Sequence, residues 1–248
     1  MFSLAIPTMN RYDKFLSKTL PLYLENPYID EIVICDETGE DSAKILANFN
    51  HSKLRVVKNH KRLGVFRNKH MCCMLAKNDW VALIDSDNYA PEEYFIAAEK
   101  YIKSGNLKSN KNVILAPSKA RPEFDFTHMN GRVFKKGTNK ENRSYEETCP
   151  IDFKHSYQTY VNTGNFIVNK YVVENMELAT DGHLITRANA CDVCLFNTLA
   201  MEQNDSEIHM VPGMEYDHRC HDGGLFAANC TETYSTIQEV YSRYHRLA

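Results

Sequence analysis

The chain has 248 residues, 43% hydrophobic and 25% charged, which is enough for one large domain with a sizeable core. Its 29 Lys and Arg stand against 32 Asp and Glu, a net charge of −3, which argues against a general nucleic-acid binder and leaves phosphate recognition to local clusters. No apolar run approaches membrane-spanning length, Phe2–Ile6 is too short for a signal peptide's apolar region, and the eight cysteines follow no repeat spacing. A cytoplasmic protein with free thiols and no transmembrane segment is therefore expected.

In chain order, Phe2–Ile6 reads as a buried strand, and Tyr12, Phe15, Leu16, Leu20 and Leu24 lie at helical spacing between Arg11 and Glu25. Glu31–Cys35 is a second strand, followed by a polar turn and a helix around Ala43–Phe49. Leu54–Val57, a helix over Gly64–Lys77 and the strand Trp80–Ile84 complete the series. Strands alternating with helices at this spacing predict an α/β fold with a mostly parallel sheet covered on both faces.

In such sheets ligands bind beyond the carboxyl ends of the strands. That rule gathers three turns into one candidate site: Pro7, Thr8, Asn10 and Arg11 after strand one, Asp36 and Glu37 after strand two, and Asp85, Ser86 and Asp87 after strand four. Two carboxylates one residue apart at a strand end suit Mg²⁺ or Mn²⁺ with phosphate oxygens, although Asp-Ser-Asp-Asn is also ordinary turn composition. Seven Lys and Arg lie between Lys53 and His70 with no acid among them. Most read as a solvated face, while Arg67, behind Gly64 at a helix start, is expected to face an anion.

These pieces resemble glycosyltransferase family 2, an inverting family of GT-A fold. The matching stretches are Ile6-Pro-Thr-Met-Asn-Arg11, Ile32-Val-Ile-Cys-Asp36, Leu63-Gly-Val-Phe-Arg-Asn68, and Asp85-Ser-Asp87 in place of the family's DxD. The resemblance implies that Thr8 and Arg11 sit beside a nucleotide and that Asp36 reads its base, usually uracil. It also places Arg67 and Asn68 near base, ribose and phosphates, Asp85 at the ribose or a metal-bound water, and Asp87 on the metal. A carboxylate accepting from the uracil imide favours a UDP-sugar donor.

Glu92–Ser104 is expected to be a helix and Asn112–Ala116 a buried strand. From Lys119 to Tyr160 no period is sustained, and the segment reads as an acceptor-side loop or lid offering Arg121, Phe124, Phe126, His128, Tyr157 and Tyr160 for sugar contacts. Gly164 and Asn165, before a short strand, resemble the family's donor-sugar segment and read equally as a simple turn. A helix from Lys170 to about Glu177 follows, then one over Asn189 to about Gln203 that carries Asp192 in its first turn. By resemblance Asp192 is the base that deprotonates the acceptor hydroxyl, with Asp181, Asp152 and Asp217 as rivals; Asn189 and Asp192 also read as a capping pair.

Ile208–Val211 is the last expected strand, and Met214–Gly224 is expected to fold back on the nucleotide with His218 as metal or diphosphate ligand and His221 as second choice. Cys191 and Cys194 with these histidines also spell a zinc alternative. Thr231–Leu247 reads as a helix that packs on the body or forms a homodimer contact. The expected organisation is a single domain 1–248, with a nucleotide-binding half 1–110, an acceptor and catalytic half 111–230, and a terminal helix 231–248.

Together these features predict a metal-dependent transferase passing sugar from a UDP-sugar to a glycan, protein or small-molecule hydroxyl. A sugar nucleotidyltransferase would carry a glycine-rich loop after strand one, and Pro7-Thr-Met-Asn-Arg11 has none. A noncatalytic nucleotide-sugar-binding module would tolerate loss of Asp192.

Overall fold

Near-continuous apolar runs form the strands β1 (Phe2–Thr8), β2 (Ile29–Asp36) and β4 (Trp80–Leu83), and the half-exposed edge strand β3 (Leu54–Lys58) joins them in parallel in the order β3-β2-β1-β4. Such runs are the signature of strands buried on both faces. The computed structural model describes residues 1–137, 163–219, 221, 235–240 and 242–243. Beyond β4 the sheet continues through β8 (Ile167–Asn169), β5 (Val113–Arg121), β9 (Glu207–Asp217) and β7 (Val133–Phe134), with β6 (Phe124–Asp125) hairpinned onto β5. β8 runs antiparallel to both β4 and β5, while β5 and β9 are parallel. The result is the expected α/β sheet, mostly parallel and extended across both halves of the chain.

Alternating side chains divide the core into two layers. Leu4, Ile6, Ile32 and Ile34 face one way, against α1 (Ser17–Glu25), α2 (Glu40–Asn48) and α4 (Glu92–Lys103). Ala5, Val33 and Cys35 face the other way, toward α3 (Val65–Met74), α5 (Lys170–Glu174), α6 (Gly182–Arg187) and α7 (Asp192–Asn204). Residues 235–240 are helical, and Val240 is fully buried in this second layer. Residues 235–240 therefore pack on the body.

Three expectations need correction. The first helix opens as a π turn, Tyr12–Leu16, before α1. The segment after Lys119 keeps its order as far as residue 137: β5 runs on to Arg121, and β6, a 3-10 turn at Thr127–Met129 and β7 follow. The last strand is longer than its apolar centre, reaching Asp217, where its backbone bridges to Tyr89.

Candidate active site

Parallel pairing brings the carboxyl ends of β1, β2 and β4 to one rim; Thr8 stands opposite Asp36, and Ala5 opposite Leu83. Because β8 is antiparallel to β4, its beginning lies at that same rim and carries Gly164 and Asn165 there. The carboxyl ends of β5 and β9 reach it too. Over this rim opens a cavity of about 770 Å³, whose lining includes Pro7, Thr8, Arg11, Glu37, Asn68, Asp85, Ser86, Asp87, Gly164, Asn165 and Asp192. That volume lies in the usual range for small-molecule sites.

At its centre is a buried lysine. Lys69 Nζ lies 2.7 Å from Asp85 Oδ1 and 2.7 Å from Asp192 Oδ2, with only 9% of its side chain exposed. Burial disfavours its ammonium, but the carboxylates of Asp192 and Asp85 outweigh burial and hold its pKa above the ordinary lysine range. Burial also pushes the Asp192 carboxyl up, Lys69 pulls it down and Asp85 pushes it up again; the net shift is upward. A buried carboxylate with a raised pKa is a competent general base.

The turn after β4 is held from two sides. Asp85 N donates to Asn165 Oδ1 at 2.7 Å, and Asn165 itself sits at φ 54° with its carbonyl accepting from the Tyr94 hydroxyl at 2.6 Å. Asn tolerates this left-handed conformation better than most residues. Asp87 Oδ2 lies 3.0 Å from His221 Nε2, and the His221 ring packs on Phe15. Arg219 N donates to Asn88 Oδ1 at 3.0 Å, which seats the segment after β9 against the acidic turn.

The wall from β1 to α2 is built around Asp41. Its carboxylate accepts from the Thr8 hydroxyl at 2.5 Å, from Arg11 N at 2.9 Å and from Tyr12 N at 2.8 Å. Asp36 is fully buried, with Oδ1 accepting from Thr38 N at 3.0 Å and Oδ2 from Ser42 N at 2.7 Å. Burial pushes its pKa up, but the Ser42, Thr38 and Gly39 N–H groups outweigh that and hold it below the usual range. Glu37 instead lines the cavity; its Oε2 accepts from Leu63 N at 2.8 Å, while Oε1 is buried with no hydrogen-bond partner.

Residues 3–161 of the chain, well over half its length, match the family described as Glycosyl transferase family 2. The chain belongs to glycosyl transferase family 2. Its fold agrees: TarS of S. aureus, solved as residues 1–349 with UDP-GlcNAc, superposes with a TM-score of 0.63 at 15% identity over 98% of this chain and 66% of that one. TarS 1–349 with UDP gives 0.60 at 14% identity, and the longer TarS 0.55 at 14% identity. The family 2 chain thus spans less than two thirds of TarS 1–349 and 38% of the longer chain. No curated protein matches it in sequence.

In this family 2 chain several expected residues fall elsewhere than the rim. Arg67 points away from the cavity, toward α6, where a Cβ on Gly182 would stand 3.9 Å from its guanidinium. Two residues along a helix turn roughly 200°, so Arg67 and Lys69 cannot face the same site. In sequence Lys69 reads as part of the solvated basic run, because its partners come from other parts of the fold. Asn68 lines the cavity but its amide serves the scaffold, donating to Cys35 O at 3.0 Å and accepting from Asn59 at 2.9 Å. Asn10 lies outside the lining, where its Oδ1 accepts from the Thr38 hydroxyl at 2.8 Å.

Of the two histidines, His221 reaches Asp87, whereas His218 Nδ1 lies 3.2 Å from Glu123 Oε2. Both rings line the cavity. Of the rivals to Asp192, Asp181 pairs with Arg243 and Asp217 with Arg121, both outside the cavity lining, and Asp152 lies outside the described residues, as do Tyr157 and Tyr160. The capping alternative also fails, since α7 starts at Asp192 behind Cys191 with no side-chain cap. Cys191 and Cys194 are buried free thiols, burial pushing Cys191 up to about 12, and the histidines of the zinc alternative lie against Asp87 and Glu123.

Among the described residues no group of three or more His, Cys, Asp or Glu converges on one point. Asp87 and His221 nonetheless offer a hard oxygen and an imidazole nitrogen at one spot, two positions of an octahedral shell that diphosphate oxygens and water can complete. The donor set fits Mn²⁺ or Mg²⁺ held jointly with a ligand. No helix among the described residues is long and apolar enough to cross a membrane.

Proposed function

We propose that this chain transfers a sugar from a nucleotide sugar, a UDP-sugar being the best fit, to an acceptor hydroxyl with inversion, using Asp192 as base. The observation carrying this reading is the Asp85–Lys69–Asp192 chain of ion pairs, which links the acidic turn of a donor site to a buried carboxylate inside one cavity. Support for UDP comes from Glu37, a carboxylate in the cavity lining and so of the type that accepts the uracil N3–H, whereas Asp36 is fully buried with both oxygens on backbone N–H groups. TarS, which shares the fold, has been solved with UDP-GlcNAc and with UDP.

In this reading Glu37 holds the base, the turn after β4 faces the diphosphate, and Asp87 with His221 would hold Mn²⁺ or Mg²⁺ against its oxygens. A divalent ion, when bound, supplies positive charge where the leaving diphosphate becomes more negative. The acceptor oxygen attacks the anomeric carbon, the bond from that carbon to the diphosphate oxygen breaks, and the acceptor proton passes to Asp192 as UDP leaves. Lys69 holds Asp192 in its ionised form between turnovers and keeps it in register with Asp85.

The test is UDP release from a panel of UDP-sugars with Mn²⁺ present. Asp192→Asn is expected to abolish release while still binding UDP. Binding of UDP-sugar without turnover under any acceptor, unaltered in Asp192→Asn, would instead identify a binding module.

A further inference from the structure

One buried hydroxyl of the cavity has no part in the reaction described above. Tyr216, near the end of β9, lines the cavity with only 5% of its surface exposed. The backbone beside it fixes its place: Asp217 N donates to Tyr89 O at 2.7 Å and Tyr89 N to Asp217 O at 3.1 Å, which rivets the end of β9 to the segment that follows the acidic turn. Tyr216 is thereby held beside that turn.

Its hydroxyl is tied to Asn165. Asn165 Oδ1 accepts from Asp85 N at 2.7 Å, so the hydrogen bond between the Asn165 side chain and the Tyr216 hydroxyl is a donation from the Asn165 amide to the Tyr216 oxygen. A phenol can accept and donate at once, and here the accepting side alone is used. Among the described residues no group takes the Tyr216 proton. The charges that act on this hydroxyl are those of Asp85, Lys69 and Asp87, all in the lining of the same cavity. Burial raises its pKa, so it stays protonated at neutral pH. A buried O–H with nothing to donate to is costly, and a ligand oxygen in the cavity would relieve that cost.

We infer that Tyr216 donates its O–H to the β-phosphate of the donor and that this hydrogen bond strengthens as the phosphate departs. This rests on the donor reading above, in which the turn after β4 faces the diphosphate. No proton moves in the step: the bond from the anomeric carbon to the diphosphate oxygen breaks, its electron pair goes to the phosphate, and Tyr216 keeps its hydrogen. A fixed donor stabilises most where charge develops during the reaction. Hydrogen bonds in series reinforce one another, so donation from Asn165 makes Tyr216 the better donor in turn. Asn165 is on this account a positioning residue, holding Asp85 N and the Tyr216 hydroxyl on one carboxamide.

Calorimetric titration with UDP and with UMP, each with Mn²⁺, tests the assignment on wild type and Tyr216→Phe. UMP has no β-phosphate. Loss of a hydrogen bond to a charged oxygen should weaken UDP binding about tenfold or more and leave UMP within about twofold of wild type. In turnover of a UDP-sugar, kcat should fall by about tenfold or more while KM moves less than about threefold, because the intact donor carries less charge on that phosphate than UDP or the transition state. The substitution keeps the ring and its packing, and the melting temperature without ligand checks that the fold is kept. UDP affinity unchanged in Tyr216→Phe overturns the inference, and so does an equal loss for UDP and UMP, which would make Tyr216 a structural prop for Asn165. A wild-type protein that binds neither nucleotide refutes the donor reading and this inference together, whereas either failure in the variant alone leaves the donor reading standing.

Discussion

Asp36 and Glu37 are adjacent acids with opposite assignments, and the difference lies in where their oxygens point. Asp36 accepts two backbone N–H groups in full burial, so Asp36→Asn, with one acceptor oxygen fewer, should cost about 1–3 kcal/mol by urea unfolding at neutral pH. Its folded pKa is depressed, so that stability is present above the unfolded value of about 3.9 and is lost as pH falls through the folded one; the gap between wild type and variant should close in acid. Glu37→Ala should instead weaken UDP binding by about tenfold in calorimetry, one hydrogen bond's worth. With Asp192 as the proposed base, its upward shift should set the acid limb of turnover above the ordinary aspartate range, with activity lost as pH falls through it. Lys69→Met removes the cation that lowers that pKa, so the acid limb of UDP release should move to higher pH. The same variant leaves two carboxylates facing each other in a buried site and should lose about 3–5 kcal/mol of stability.

At the scale of elements, much of the fold was legible because its strands are apolar without interruption. Leu4-Ala-Ile6, Ile32-Val-Ile34 and Val81-Ala-Leu83 need no partner to be recognised. The strands that escaped are those whose ends are polar and whose pairing comes from elsewhere: Lys119–Arg121 of β5 lies beside Glu215–Asp217 of β9, and neither segment has a period of its own. The candidate site shows the same divide. Asp85, Asp87 and Asp192 stand out in sequence, but Lys69, Asp41 and His221 owe their placement to contacts from distant segments. Asp41 is the clearest case, because it looks like an ordinary acidic first-turn residue while it fastens the β1 end to the π turn through three donors. Asp41→Ala should cost about 2 kcal/mol and lower the melting temperature by about 4–8 °C in calorimetry. UDP affinity should fall with it, since Pro7, Thr8 and Arg11 form one wall of the cavity.

For the whole molecule, the decisive feature is that one sheet crosses between residues 1–110 and residues 111–230, the two proposed halves. β8 comes from the second half of the chain and pairs on one side with β4, from the first, and on the other with β5. The tail then locks the second layer through Val240, and Arg243 pairs with both Asp181 and Glu202. Unfolding either half would strip hydrogen bonds and apolar cover from the other, so the chain should melt as one unit despite its length. The cavity is lined from both halves, so a bound nucleotide stabilises that single unit. With UDP and Mn²⁺ at about a hundred times the dissociation constant, scanning calorimetry should show one transition moved up as a whole by about 5–10 °C, from about 2.7 kcal/mol of linkage. EDTA should take back the part of the shift that passes through Asp87 and His221, and His221→Ala should reduce it more than His218→Ala. A trace that splits in two, with only one component moving on addition of UDP, would show the halves to be separate domains and confine the nucleotide to the first.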